Sequence, residues 1–132
     1  MRWLTSLLFV LLGFAGMFTA GAAEAAPYFA PTGSMTVARS APASAPLPNG
    51  GALVAGGISG GGIVNTAEVF NPASGTFSST GSMVDSRVSA AASQLPDGKI
   101  LVAGGVGDVP FPQSGYLAQT EIYDPSTESF SA

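Results

Sequence analysis

Two hydrophobic patterns divide the chain. From Trp3 to Phe18 every residue is apolar except Thr5, Ser6, Gly13 and Gly16. That run of 16 residues falls short of the ~20 needed to span a bilayer, and small residues rather than a basic flank follow it. Arg2 precedes it and Ala23-Glu24-Ala25 supplies a small-x-small site, so residues 1–25 read as a secretory signal cut after Ala25. Beyond it come short stretches of β-forming and small residues: Ala52–Ala55, Ala67–Phe70, Ile100–Ala103 and Thr120–Tyr123. Each is closed at its end by Gly, Asn or Asp. This spacing predicts short strands joined by tight turns.

The strands recur in register. Thr32-Gly33-Ser34-Met35 returns as Thr80-Gly81-Ser82-Met83 and Arg39 as Arg87, both 48 residues later; Leu47 to Gly57 aligns with Leu95 to Gly105 at the same offset. After the double glycine the offset is 53, matching Glu68-Val69-Phe70-Asn71-Pro72 to Glu121-Ile122-Tyr123-Asp124-Pro125 and Phe77 to Phe130. Five residues are therefore inserted in one loop of the second copy. Each copy predicts four strands. A small-residue strand leads to an Asn49-Gly50 or Asp97-Gly98 hairpin turn. The second strand stops at Gly56-Gly57 or Gly104-Gly105, and the third ends in an Asx-Pro turn. The fourth carries Phe77 or Phe130. Residues 26–34, with Phe29 placed before Thr32 as Phe77 is before Thr80, read as the tail strand of a preceding unit; residues 35–80 and 81–132 are the two repeats.

A repeat of about 48 residues with these anchors resembles the kelch repeat, and more narrowly the kelch-like blades of secreted proteins related to galactose oxidase. The resemblance rests on Met35, Arg39, Gly56, Gly57, Glu68, Phe70 and Phe77, then Met83, Arg87, Gly104, Gly105, Glu121, Tyr123 and Phe130, together with the Asx-Gly and Asx-Pro turns. It implies an all-β fold of kelch-type β-propeller blades. Phe77 and Phe130 stand where Trp is usual, and Phe70 where Tyr is common; both changes keep apolar bulk and lose a polar handle. Pro42, Pro46 and Pro48 lie two residues apart. They fit an innermost strand whose free edge faces the central channel, with the nitrogens of Pro42 and Pro46 pointing into it. Two blades do not close a ring, for propellers use about four to eight. The expectation is a fragment of a longer protein or closure by self-association.

Composition narrows the chemistry. No Cys and no His occur among the 132 residues. Disulfides, thiolate nucleophiles, Ser-His-Asp triads and imidazole-ligated metal sites are therefore excluded within this chain. Net charge is −4 with only 4 Lys and Arg, against nucleic-acid binding. Arg39 with Glu68 and Arg87 with Glu121 recur in both copies, as a structural ion pair does and a catalytic set does not. The Gly56 to Gly62 stretch leads into a strand rather than a helix, against a phosphate-cradling loop.

The loop between the second and third strands breaks the symmetry, with residues 58–67 in the first copy and 106–120 in the second. Asp108, Phe111, Gln113 and Tyr116 in the longer loop, with Asp85 in the connection between repeats, form a candidate recognition patch. The expectation is an exported module, secreted or periplasmic, that needs no cofactor, does not stay in the membrane once the signal is cut and binds a protein or glycan. The alternative implied by the resemblance is the scaffold part of a secreted copper-radical oxidase. That family holds copper with Tyr and His ligands and a Cys-modified Tyr. Tyr28, Tyr116 and Tyr123 match no such pattern, so the ligands would lie outside this chain.

Overall fold

The computed structural model describes residues 29–108 and 115–132. The segment read as a signal sequence, and Phe111 and Gln113, lie outside the described residues. Ten strands occur among them: β1 (Ala43–Pro46), β2 (Ala52–Ala55), β3 (Ile58–Ser59), β4 (Gly62–Ile63), β5 (Ala67–Asn71), β6 (Thr76–Thr80), β7 (Ala91–Gln94), β8 (Ile100–Ala103), β9 (Thr120–Asp124) and β10 (Ser129–Ser131). They form two four-stranded antiparallel sheets, ordered β1-β2-β5-β6 and β7-β8-β9-β10, plus the β3-β4 hairpin. The all-β expectation holds, and each sheet coincides with one sequence repeat.

The turns explain the register. In the first, Leu47 N–H donates to the Gly51 carbonyl and Gly50, at φ +80°, donates to Leu47, while the Asn49 side chain accepts from Gly51 N–H. Leu95, Gly98, Asp97 and Lys99 repeat these bonds in the second copy. At the Asx-Pro turns the side-chain oxygens of Asn71 and Asp124 accept from the N–H of Ala73 and Ser126. The prolines then fit. Leu47 bonds to Gly51, so alternation makes Pro46↔Ala52 a non-hydrogen-bonded pair with the Pro46 nitrogen directed away from β2. β1 is the sheet edge, where that nitrogen needs no partner. Pro42 lies one residue before β1.

Opposite faces of the repeats meet. The first sheet contributes the cross-strand rows Ala43, Ala55, Ala67 and Ala45, Leu53, Val69, and the second contributes Ala92, Ile100, Val102 and Tyr123. Alanines let β1 and β7 approach closely. Toward the outer strands, aromatic pairs take up the volume: Tyr123–Phe130 at 4.9 Å and 51° and Phe70–Phe77 at 5.0 Å and 49°, tilted arrangements that suit the ring quadrupoles. Leu53 and Ile100 are 1% and 0% exposed, and full burial of such side chains stabilises by about 1.5–3 kcal/mol each. The Ala52, Val54 and Phe70 face of the first sheet and the Leu101, Ala103 and Ile122 face of the second stay half-buried. Each is the repeat equivalent of a face that is packed in the other sheet.

Candidate functional site

Two buried guanidinium assemblies organise one end of the strands. Arg39 follows the connection that leads into β1. Its Nη1 donates to the carbonyls of Gly56 (2.8 Å) and Thr66 (2.9 Å), and its Nη2 to Glu68 Oε1 at 2.9 Å. Glu68 also accepts from Thr36 N–H and O–H and from Val37 N–H, at 2.7, 2.9 and 3.1 Å. The second copy repeats this. Arg87 donates to the carbonyls of Gly104 and Gln119 and to Glu121, and Glu121 accepts from Val84 and Asp85 N–H. The paired side chains are 0–1% exposed in both. Burial works to raise the Glu68 pKa, but the bonds from Thr36, Arg39 and Val37 outweigh it and hold the carboxyl below its ordinary value. Each assembly ties the connection, the end of the second strand and the start of the third into one unit.

The asymmetric loops lie at this same end. In the first copy the glycine-rich stretch that argued against a phosphate-cradling loop turns back as the β3-β4 hairpin, with Ile58 paired to Ile63 and Gly60 and Gly61 at φ +59° and +85°. Consecutive glycines that reach positive φ are what let so short a stretch close. In the second copy Val106 bridges both Val88 and Tyr116, and Gly107 N–H donates to Gly115. These contacts bring the base of the long loop alongside the 83–88 connection. Of the predicted patch, Tyr116 is 80% exposed and Asp108 is exposed. Asp85 is turned back, its carboxylate 3.5 Å from Arg87. Ile58 and Val84 are exposed apolar side chains at this end, and the sequence reading did not single them out.

A further feature escaped the sequence. At the opposite end of the strands a cleft of about 410 Å³ opens between the sheets. Leu47, Pro48, Val69 and Pro125 supply apolar walls, and Asn49, Tyr123 and Glu128 polar ones. The Tyr123 hydroxyl bonds Thr80 Oγ1 at 2.7 Å. Burial raises the Tyr123 pKa, Thr80 works against that, and the Glu128 and Asp124 charges add to the rise. Asp124 is held at about 2 by Ser126 hydroxyl and N–H bonds and by Lys99, 3.2 Å away. The cleft is built of turn and strand residues from both repeats, and only the packing of the sheets brings them together.

The residues present do not fit a copper centre. The chain has no imidazole or thiolate, and among the described residues no three carboxylates group as ligands.

The kelch motif family model matches residues 39–84. No curated protein is similar enough to the chain to count as a relative. Among solved structures the chain is similar to a fungal alcohol oxidase of the AA5 family in complex with copper, at 24% identity and a TM-score of 0.58 over 70% of this chain. The chain spans 21% of that protein's length.

Proposed function

From kelch-type β-propeller blades as the framework, we propose that the chain is an exported, non-catalytic binding module that engages a protein or glycan through the loops beside the two guanidinium assemblies. The supporting observation is asymmetry laid on a repeated frame. The two assemblies share the arginine's bonds to two carbonyls and a glutamate and that glutamate's two backbone N–H bonds, whereas the loop after the second strand is a tight hairpin in one repeat and a longer excursion carrying an 80% exposed Tyr116 in the other. Rigid elements holding variable loops are where recognition resides. Export rests on the Trp3–Phe18 run and the Ala23-Glu24-Ala25 site. The half-buried faces on either side of the two sheets are the surfaces that further blades, in one chain or in a second copy, would cover.

The test joins two measurements. The N-terminus of the exported chain should begin at Ala26. Immobilised protein should retain ligands from secreted proteins or a glycan array, and the double variant Phe111→Ala/Tyr116→Ala should lose them at an unchanged urea midpoint. Retention unaffected by the double variant rejects the loop reading. A second reading, that these blades are scaffold of an alcohol-oxidising copper protein, is favoured by the structural similarity to the AA5 oxidase. In it this chain supplies no metal ligand, so copper-dependent oxidation by this chain alone would overturn both readings.

A further inference from the structure

Glu128 is an anomaly. It occupies the turn position that Gly75 fills in the first repeat, and both adopt positive φ, +69° for Gly75 and +54° for Glu128. Glycine takes that conformation freely, whereas an L side chain is strained in it. The second repeat therefore keeps a carboxylate where the fold prefers none, as sites that trade stability for function do. That carboxylate lines the cleft between the sheets. Among the described residues its exposed side chain makes neither an ion pair nor a hydrogen bond, and Lys99 is paired with Asp124. The remaining described bases, Arg39 and Arg87, are buried in their assemblies at the other end of the strands.

We propose that this cleft binds a primary ammonium group carried on an aliphatic stem, with Glu128 receiving the charge and Leu47, Pro48, Val69 and Pro125 enclosing the methylenes. The size fits, since small-ligand sites run to about 300–1,000 Å³ and the cleft is about 410 Å³. An anion is disfavoured by Glu128, and a wholly apolar ligand would leave that carboxylate facing it unpaired. The ammonium could belong to a free amine or to a lysine side chain of a partner.

The experiment titrates the ¹⁵N-labelled full chain with n-pentylamine and with n-pentanol, its uncharged counterpart, at one pH and ionic strength. Pentylamine should bind about two- to fivefold more tightly, shift the amides of Asn49, Asn71, Ser126 and Glu128, and weaken in 0.5 M salt as a charge contact at an exposed carboxylate does. Glu128→Gln should bring the two affinities together. Glu128→Gly should do the same while raising the urea midpoint, because it relieves the strained turn; that gain shows the fold is intact. Nα-acetyl-lysine N-methylamide separates the sources, tighter binding than pentylamine marking a lysine side chain and weaker binding a free amine. Equal affinity for pentanol, shifts confined to the other end of the strands, or Glu128→Gln binding like the parent would overturn the proposal.

Discussion

The Arg39–Glu68 and Arg87–Glu121 assemblies share their carbonyl, glutamate and backbone N–H partners, yet they differ in what covers them. Over Arg87 lies the first repeat: Gly57 N–H donates to the Arg87 carbonyl at 2.8 Å, Arg87 N–H donates to Val64, and Asn65 bonds Met83 in both directions. Among the described residues no earlier double glycine does this for Arg39. The whole Arg87 residue is accordingly 1% exposed, while Arg39, with its side chain equally buried, leaves its backbone half-covered. The second assembly also has an additional acid, because Asp85 stands where the first repeat has Val37. The same residues thus acquire different weights from their place in the array, as nearest-neighbour coupling in repeat proteins requires.

Removing the acid of either pair should have the largest effect. Glu68→Ala and Glu121→Ala each leave a buried guanidinium without its counter-charge and orphan two backbone N–H groups. A loss of about 3–5 kcal/mol is expected for each in urea unfolding. The Glu121 variant should lose less of its ion-pair energy, since Asp85 remains 3.5 Å from Arg87; a Glu121 loss exceeding that of Glu68 by a wide margin would mean that coverage, not charge, dominates. The pH dependence follows from the same bonds. A carboxyl held below its ordinary value of 4.5 stabilises the fold fully above that value, and the contribution disappears as pH falls through the lowered one. Stability should therefore drop on acidification below about pH 4.5, with a shallower slope in Glu68→Gln.

The double glycines should separate the repeats next. Gly56 and Gly104 have φ of +69° and +65°, so alanine at either is strained by about 1–2 kcal/mol. A Cβ on Gly56 would also collide with the Arg87 carbonyl oxygen, whereas one on Gly104 meets nothing nearer than Leu117 O at 3.7 Å. Gly56→Ala should consequently cost at least about 1 kcal/mol more than Gly104→Ala, the added cost being overpacking. Equal losses in the two urea curves would remove the idea that the second repeat presses on the first at this point.

Much of this architecture was legible because it is local. Asn49-Gly50 and Asp97-Gly98, the glycine pairs and the Asx-Pro turns each fix backbone geometry within a few residues, so the eight blade strands fell where the repeat placed them. The pairing of Arg39 with Glu68 could be named from recurrence alone, but its use of Thr36 and Val37 N–H could not, since those bonds cross about 30 positions. The β3-β4 hairpin was missed because a glycine run carries no alternation to read. The cleft was hidden for a different reason: Asn49, Phe70, Tyr123 and Glu128 share no sequence motif and meet only when opposite faces of the sheets pack. What could have pointed there is the replacement of Gly75 by Glu128 at equivalent turn positions.

The smallest contrast concerns one hydroxyl. Tyr123 bonds Thr80 Oγ1 at 2.7 Å across the two sheets, and Thr80 Oγ1 also lies 3.4 Å from the Glu128 carbonyl. In the first repeat Phe70 replaces the tyrosine, and Thr32 Oγ1, the equivalent of Thr80, donates to the Gly75 carbonyl at 2.8 Å. That hydroxyl keeps an acceptor lone pair. Tyr123→Phe should cost about 1 kcal/mol, the net worth of one hydrogen bond, because Thr80 can turn to the Glu128 carbonyl. Phe70→Tyr should recover part of that amount by bonding Thr32, and less of it because Thr32 is exposed where Thr80 is half-buried. Combined in one chain, the two changes exchange the polar handle between repeats without altering apolar volume. Their effects should add to within about 0.5 kcal/mol if the two sites share no partner. A larger departure in the urea midpoint of the double variant would show that the two aromatic pairs communicate through the cleft between the sheets.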